Sequence, residues 1–187
     1  MKGPDGYTLG ETLFTEERIH ARVRELAAAV SADYAGKDLT VVGVLKGSYI
    51  FLADLTRALT TAVRVDFLGL SSYVGSESTG AFEWHARLTT SIRDRHVLLV
   101  EDIADTGRTL RYVLDHLVKE GPSSVRVCAF LDKPSRRLVD VPVDYVGFVI
   151  PDHFVVGYGL DYDGWYRQLP YIATLAGRDT QHDIASA

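Results

Sequence analysis

Three carboxylates, two threonines and a glycine stand close together between residues 101 and 109. Glu101 and Asp102 are adjacent acids, and Asp105 follows three residues after the second. Carboxylates only accept hydrogen bonds, so the acidic pair suits sugar hydroxyls and Mg²⁺. Backbone N–H groups at a helix start, beside a glycine and threonine hydroxyls, suit a phosphate. A ligand with a phosphate at one end and a diol at the other would use both halves of this loop.

The flanking residues predict a strand before this loop and a helix after it. Residues 97–100 form a continuous apolar run, which is typical of a strand buried on both faces of a parallel sheet. Gly121 and Pro122 are expected to end the helix. Its predicted apolar stripe comprises Leu110, Val113, Leu114, Leu117 and Val118. The loop therefore lies at the carboxyl end of a strand, where open α/β sheets bind ligands.

A plainer interpretation of residues 101–109 is a surface loop with an Asp or Thr helix cap, because such caps and acidic dipeptides are common. Two other phosphate loops do not fit. The stretch contains neither G-x-x-x-x-G-K-[ST] nor G-x-G-x-x-G.

A second turn of similar type follows the apolar stretch 39–45. Lys46, Gly47 and Ser48 lead from this predicted strand into a helical stretch at 49–59. A lysine, a glycine that allows close backbone approach and a serine cap could together hold a diphosphate. An ordinary βα turn with a solvated lysine remains open as the alternative.

The remaining elements are a first helix, a hairpin and more strands. Thr15 is the predicted N-cap of the helix. Its inward stripe is expected to be Ile19, Val23, Leu26, Ala27 and Val30. The segments 63–67 and 82–88 alternate in polarity and predict a hairpin, whose connection at 71–81 is rich in serine and glycine. Lys133 follows the apolar strand-like stretch 125–131, where a lysine is usually solvated.

The composition favours one α/β domain, since 187 residues leave no room for a second full domain. The net charge of −5 argues against a broad nucleic-acid surface. The first residues lack the apolar core of a signal peptide, so we expect a cytoplasmic protein. Cys128 is expected to be a small buried hydrophobe. Residues 1–12 are expected to form a loose arm, and residues 177–187 a frayed tail.

The sequence EDIADTGRT at 101–109 resembles the 5-phosphoribosyl-1-pyrophosphate (PRPP) motif of the type I phosphoribosyltransferases. With VLKGS, SSY, LDK and PDHFVVGYGLDY followed by Arg-x-Leu, the chain looks like the hypoxanthine-guanine phosphoribosyltransferases over roughly residues 13–175. The resemblance implies one α/β domain over residues 1–187, with a mostly parallel twisted sheet and helices on both faces. It also implies a mobile hairpin lid at 71–81 and a small hood, in which residues 151–175 bind the base.

The resemblance further implies that a phosphoribosyl group passes from PRPP to N9 of hypoxanthine or guanine, with Mg²⁺ as cofactor. The PRPP site would comprise Glu101, Asp102, Ala104, Asp105, Thr106, Gly107, Arg108 and Thr109. Pyrophosphate would meet Lys46, Gly47 and Arg167, and the base would meet Lys133, Phe154, Val155 and Asp161. Mg²⁺ would be held by Glu101, Asp102 and Asp161. Asp105 would be the general base.

Ser72 and Tyr73 match the Ser-Tyr pair of the family's mobile loop. We favour a lid over a floppy hairpin end, because transfer through a cationic sugar must exclude water. The family has a Lys-Asp pair just downstream, where this chain has His85, Ala86 and Arg87, and we assign these three residues no role.

Two other functions can be compared with this expectation. A PRPP-sensing regulator of transcription or RNA would need a basic stripe or an added nucleic-acid module, and the acidic sequence offers neither. A transferase for adenine or a pyrimidine would not fit Lys133 and the segment FVVGYGLDY. We expect small-molecule partners, PRPP and a 6-oxopurine, and a homodimer or homotetramer without nucleic acid or membrane.

Overall fold

The computed structural model describes residues 7–72 and 82–176. The strands are β1 (Thr8–Phe14), β2 (Leu39–Leu45), β3 (Val63–Ser72), β4 (Phe82–Ala86), β5 (His96–Ala104), β6 (Ser124–Asp132), β7 (Tyr145–Val149), β8 (Val155–Val156) and β9 (Ile172–Ala176). The helices are α1 (Glu16–Asp33), α2 (Tyr49–Ala58) and α3 (Arg108–Lys119). Parts of the expected arm (1–6), lid (73–81, with Tyr73) and tail (177–187) lie outside the described residues, and only the backbone of Ser72 is described.

The larger sheet has the strand order β4-β3-β2-β5-β6-β7. All neighbouring pairs in it are parallel except β3 and β4, which are antiparallel. This is the mostly parallel α/β sheet that the sequence predicts. The carboxyl ends of β2, β5, β6 and β7 therefore meet at one edge, and each of these strands is followed there by polar residues.

Strand β5 is buried on both faces, as its apolar run predicts. Leu98 and Val100 pack with α1 and α2 on one side, while Val97 and Leu99 pack with α3 on the other. All four side chains are fully buried. The strand that carries the acidic pair is thus held in the middle of the molecule, which limits how far its carboxyl end can move.

The first helix begins as predicted, because the Thr15 hydroxyl accepts a hydrogen bond from the backbone N–H of Arg18 at 3.4 Å. Its predicted inward stripe is buried at every position. In α3 the stripe prediction is wrong at Val118, which is 62% exposed. At 100° per residue this position lies about 80° from Leu110 around the helix, at the margin of the buried face.

The prediction of a loose arm at residues 1–12 is wrong for its second half. Thr8–Phe14 forms β1, which pairs with β9 in a second, three-stranded sheet of order β1-β9-β8. The Thr174 hydroxyl accepts a hydrogen bond from the backbone N–H of Glu11 at 3.0 Å. A segment without its own periodicity is ordered here because a strand near the other end of the chain supplies its backbone partners. This small sheet includes part of the predicted hood.

The hairpin of β3 and β4 is present, but β3 places its apolar side outward. Val65 and Phe67 are 45% and 38% exposed, whereas Asp66 between them is 4% exposed. The Asp66 carboxylate accepts hydrogen bonds from the backbone N–H groups of Phe67, Thr89 and Thr90 at 2.8 to 3.0 Å. Burial acts to raise the pKa of Asp66, but these N–H groups hold it below its ordinary value.

Replacing Asp66 with asparagine is expected to destabilise the fold, because the amide group turns a donor toward backbone donors. A depressed folded-state pKa adds stability above the ordinary carboxylate pKa and loses it as pH falls through the folded value. The expected loss at pH 7 is about 1.5–3 kcal/mol of unfolding free energy, and it should shrink below about pH 4. Urea unfolding at both pH values measures it. Exposed Glu83→Gln on β4 is the matched control, and equal losses at both pH values would contradict the assignment.

None of the helices in the described part of the chain is both long and apolar enough to cross a membrane.

Candidate active site

In the acidic pair at the end of β5, Glu101 is buried and Asp102 is half-buried. Glu101 is 7% exposed, and its Oε2 has no hydrogen-bond partner among the described residues. Burial, with a smaller contribution from Asp102, raises the pKa of Glu101 well above its usual range. Burial also raises the pKa of Asp102 to about 6, against the opposing effects of the Ile103 N–H and the Arg167 charge. Two carboxyl groups in such a place favour a ligand that brings donors or positive charge.

The turn after β2 touches this pair directly. A Cβ atom on Gly47 would lie 1.4 Å from Asp102 Oδ2, so only glycine fits. On the other side, a Cβ on Gly159 would lie 2.0 Å from the carbonyl oxygen of Gly47. The turn at 46–48 is therefore held between the acidic pair and the segment after β8. The sequence indicated a close backbone approach at Gly47, but it did not reveal what the backbone approaches.

The two residues beside Gly47 are Lys46 and Ser48, and Ser48 does not act as the helix cap that the sequence predicts. Ser48 occupies the N-cap position of α2, but its fully buried hydroxyl donates to the Val44 carbonyl at 2.5 Å and does not cap the helix. The predicted serine cap is therefore wrong. Lys46 is exposed, and the Leu45–Lys46 peptide bond is cis. The exposed side chain of Lys46 can therefore contact a ligand at the edge where the acidic pair lies.

Replacing Gly47 with alanine is expected to displace Asp102 or the turn itself, because a methyl group cannot occupy space 1.4 Å from a carboxylate oxygen. A shift of about 1 Å at a reacting centre can cost roughly 10²-fold in rate, and we expect a loss of that order in kcat/KM. Steady-state kinetics with varied PRPP, the substrate that the sequence resemblance implies, measures this loss. Gly36→Ala removes a glycine that has open space and a positive φ of 72° far from this edge. It controls for glycine loss as such, and equal kinetics in Gly47→Ala and wild type would contradict the placement.

The predicted phosphate loop begins α3. Gly107 is the N-cap residue, with a φ of 86° that favours glycine. The hydroxyl of Thr106 before it accepts a long hydrogen bond from the backbone N–H of Arg108 at 3.5 Å. The carbonyl of Thr106 accepts hydrogen bonds from the backbone N–H groups of Leu138 and Val139 at 2.9 and 3.0 Å. The first N–H groups of a helix have no intrahelical partner, so this loop presents donors at a fixed place.

The segment after β8 brings a cation to the acidic edge. Arg167 donates through Nη1 to the Gly159 carbonyl at 2.6 Å, and its Nη2 lies 2.8 Å from Asp161 Oδ1. Asp161 also accepts a hydrogen bond from the Gly164 N–H at 2.6 Å. Arg167 lowers and Asp161 raises the pKa of Asp102, so both side chains act on the acidic pair electrostatically.

Of the residues predicted to contact a base, Lys133 lies directly after β6, while Phe154, Val155 and Asp161 lie just before, in and after β8. Lys133 is 6% exposed, which differs from the solvated lysine that its position after a strand suggests. Its backbone N–H donates to the Ala104 carbonyl at 3.0 Å, next to the phosphate loop. Phe154 stands edge-on to Tyr162 with ring centroids 6.0 Å apart. Val155 is buried and pairs with Thr174 of β9.

Sequence reasoning missed two charged residues at this edge, Arg136 and Asp152. Arg136 Nε donates to Asp105 Oδ1 at 2.9 Å, and its Nη1 donates to Asp152 Oδ2 at 3.2 Å. Asp152 also lies 3.6 Å from Lys133 Nζ. The signal that could have found them is their position, because both follow strands whose carboxyl ends reach the ligand edge.

A metal would need substrate oxygens to complete its coordination here. In residues 7–72 and 82–176, no group of three or more His, Cys, Asp or Glu side chains is arranged to hold a metal. The unpartnered Glu101 Oε2 and the adjacent Asp102 nevertheless fit Mg²⁺, which commonly uses one or two carboxylates together with waters and substrate phosphates. Asp161 is paired with Arg167, and its predicted metal role remains a prediction.

A mostly parallel α/β sheet thus carries Glu101, Asp102 and the start of α3 at one carboxyl edge, which is where open α/β sheets bind ligands. The phosphoribosyl transferase domain model matches residues 10–163 of the chain. A hypoxanthine-guanine phosphoribosyltransferase of Staphylococcus aureus is 47% identical over 168 residues, which cover 89% of this chain and 94% of that protein. One from Streptococcus agalactiae is 46% identical and covers 88% and 92%.

Solved structures agree with these matches. A crystal structure of a Staphylococcus aureus hypoxanthine phosphoribosyltransferase has a TM-score of 0.86 at 47% identity and covers 89% of this chain and 91% of that one. A Bacillus anthracis hypoxanthine-guanine phosphoribosyltransferase has a TM-score of 0.86 at 40% identity and covers 91% and 99%. The chain belongs to the phosphoribosyltransferase family, in its hypoxanthine-guanine branch. The alternative of a PRPP-sensing regulator finds no support in these relatives.

Proposed function

We propose that this enzyme transfers the 5-phosphoribosyl group of PRPP to N9 of hypoxanthine or guanine and releases pyrophosphate. The observation that carries the proposal is Lys133, a buried lysine at the end of the strand next to the one that carries Glu101 and Asp102. An ammonium has three donors and no acceptor, so it selects a carbonyl oxygen such as O6 of these bases. The names of the relatives support the same substrates.

The PRPP end of the site follows from charge and donor type. Glu101 and Asp102 are proposed to accept the ribose hydroxyls, directly or through Mg²⁺. The segment 104–109 is proposed to bind the 5′-phosphate with its backbone N–H groups and threonine hydroxyls. Lys46, the Gly47 backbone and Arg167 are proposed to bind the pyrophosphate, since Arg167 already lies close enough to Asp102 to lower its pKa.

The raised pKa values of the acidic pair agree with a site that binds hydrogen-bond donors or positive charge. In the ligand-free protein, burial favours the neutral carboxyl groups. A bound diol or cation would offset the free-energy cost of ionising these carboxyl groups. Mg²⁺, when bound with PRPP, would supply positive charge that stabilises the departing pyrophosphate.

The base end needs a donor, a stacking surface and a proton acceptor. Lys133 is proposed to donate to O6, and Phe154 to stack on the purine ring. The backbone at Val155 and near Asp161 is proposed to meet the 2-position. Asp105 is proposed to take the N7 proton as N9 bonds to the anomeric carbon, because it is the loop acid separate from the diol pair. Oligomeric state and cytoplasmic location remain predictions.

Pyrophosphate release from PRPP and Mg²⁺ with separate bases tests the function. Hypoxanthine or guanine should support release, while adenine and the pyrimidines should not. Omitting the base controls for PRPP hydrolysis, and omitting Mg²⁺ tests the cofactor. A protein that releases pyrophosphate with none of the bases would refute the proposal.

A further inference from the structure

Arg136 connects two acidic residues, Asp105 and Asp152, that follow different strands near the proposed base site. It lies on the short 3-10 turn Pro134–Arg136 after β6. Its Nε edge bonds to Asp105, in the loop after β5, and its Nη1 bonds to Asp152, after β7. The guanidinium is therefore a bridge across three neighbouring strand ends, and one end of this bridge is the proposed proton acceptor.

The bridge continues a chain of charges of alternating sign, from Asp105 through Arg136 and Asp152 to Lys133. The Asp152 hydrogen bond and the Asp105 charge raise the pKa of Arg136 above its ordinary value. Burial acts to raise the pKa of Asp152, but the contacts with Arg136 and Lys133 lower it overall. Along this chain each acidic side chain therefore faces a basic one.

The exposure of these side chains indicates what the bridge can contribute. The side chains of Asp105, Arg136 and Asp152 are 25%, 28% and 47% exposed, so solvent screens each contact and the gain in stability is small. Orientation is a different matter. A planar guanidinium offers separate N–H edges in fixed directions, and here two of its nitrogens are satisfied by two acids on either side.

We propose that Arg136 is a positioning residue that orients the Asp105 carboxylate toward the purine, with Asp152 fixing the guanidinium from its other side. The inference rests on the proposed transfer to a 6-oxopurine. An aspartate on a loop can adopt several rotamers, and only one presents an oxygen to N7. Arg136 contacts a single Asp105 oxygen, Oδ1, and no side chain in residues 7–72 and 82–176 hydrogen-bonds to the other oxygen, Oδ2, which can therefore take the proton.

The loss of kcat on replacing Arg136 cannot exceed the contribution that Asp105 makes as the general base. A positioned general base contributes about 10²–10⁴-fold, and a residue that acts through it cannot contribute more. Misplacement of a reacting group by about 1 Å costs up to roughly 10²-fold. We therefore expect Arg136→Gln to lower kcat about 10- to 100-fold while the KM for PRPP stays within about 3-fold.

Two further variants separate positioning from charge and from folding. Arg136→Lys keeps the charge, but one ammonium on a flexible stem cannot reproduce two directed N–H edges, so it should recover less than about 3-fold of the lost kcat. Because it retains a cation between the acids, it also serves if Arg136→Gln fails to fold. Arg126→Gln is the matched control, since Arg126 bridges Asp33 and the Tyr145 hydroxyl away from the ligand edge. It should keep wild-type kinetics.

The deciding experiment is a double-mutant cycle with Asp105→Asn. If Arg136 acts through Asp105, adding Arg136→Gln to Asp105→Asn should cost less than about 2-fold more in kcat. Multiplied losses, an unchanged kcat in Arg136→Gln, or full recovery by Arg136→Lys would each overturn the inference. A wild-type protein that is inactive with every base refutes the proposed function and the inference together, whereas active wild type with any of these three results refutes the inference alone.

Discussion

Replacing Lys133 with glutamine is expected to lower kcat/KM for hypoxanthine and guanine and to narrow their advantage over adenine. Lys133 presents only donors, and adenine carries an amino donor at the 6-position. Sites built on one such hydrogen bond reject the mismatched analogue by roughly 10⁴–10⁵. A glutamine amide can donate to a carbonyl or accept from an amino group, so it should discriminate less.

The burial of Lys133 makes this prediction sharper than the sequence alone allowed. A lysine with 8% of its side chain exposed is desolvated, and its ion-pair partner, Asp152, is 3.6 Å away. A hydrogen bond to a charged group contributes roughly 1.5–3 kcal/mol, so the loss for a 6-oxopurine should be about 10- to 100-fold. Asp152 keeps its contact with Arg136 in the variant, which limits the damage to the fold.

The measurement is kcat/KM for guanine, hypoxanthine and adenine on both proteins. Lys37→Gln is the matched control, because Lys37 donates to the Asp33 carbonyl before β2, at the opposite edge of the sheet. It should leave the ratio of oxo to amino bases unchanged. The same unchanged ratio in Lys133→Gln would remove Lys133 from the base site.

Replacing Asp105 with asparagine should lower kcat by about 10²–10⁴-fold, because the amide has nearly the same shape but cannot take the N7 proton. Only a small change in the KM for PRPP is expected, since the 5′-phosphate would be bound by backbone N–H groups of the loop. Single-turnover measurement of base consumption separates the chemical step from product release.

Asp115→Asn is the control for this variant, since Asp115 lies on the exposed side of α3 and, within the described part of the chain, its ion pair is a long i,i+4 contact with Arg111 at 3.9 Å. It should behave as wild type. If Asp105→Asn instead raised the KM for PRPP strongly at constant kcat, Asp105 would be a binding residue of the phosphate loop and not the base.

The two ends of the site are mechanically linked through the sheet. Ala104 pairs with Asp132 in the register of β5 and β6, and the Lys133 N–H bonds to the Ala104 carbonyl. The residue proposed to select the base is thus tied to the backbone that starts the phosphate loop. Substitutions at either place are expected to couple, because residues that share a backbone contact are not independent.

Several features of this protein followed from the sequence alone. The strand of residues 97–100, the Thr15 cap and the stripe of α1 depend on local periodicity and capping, which neighbouring residues decide. The acidic pair, the glycine and the threonines of residues 101–109 are contiguous, so one βα loop positions them together. That is why the family could be predicted before any contact was known, while PRPP binding by this loop stays a prediction.

Other features depended on residues far apart in the chain. Thr8–Phe14 is a strand only because Ile172–Ala176 lies beside it, and Asp66 is buried only because a distant loop offers backbone donors. The bridge of Arg136 between Asp105 and Asp152 joins residues that follow three different strands. Local patterns determine which element forms, but ion pairs, close backbone approaches and burial depend on which strand ends the sheet order brings together, and that order exists only in the tertiary structure.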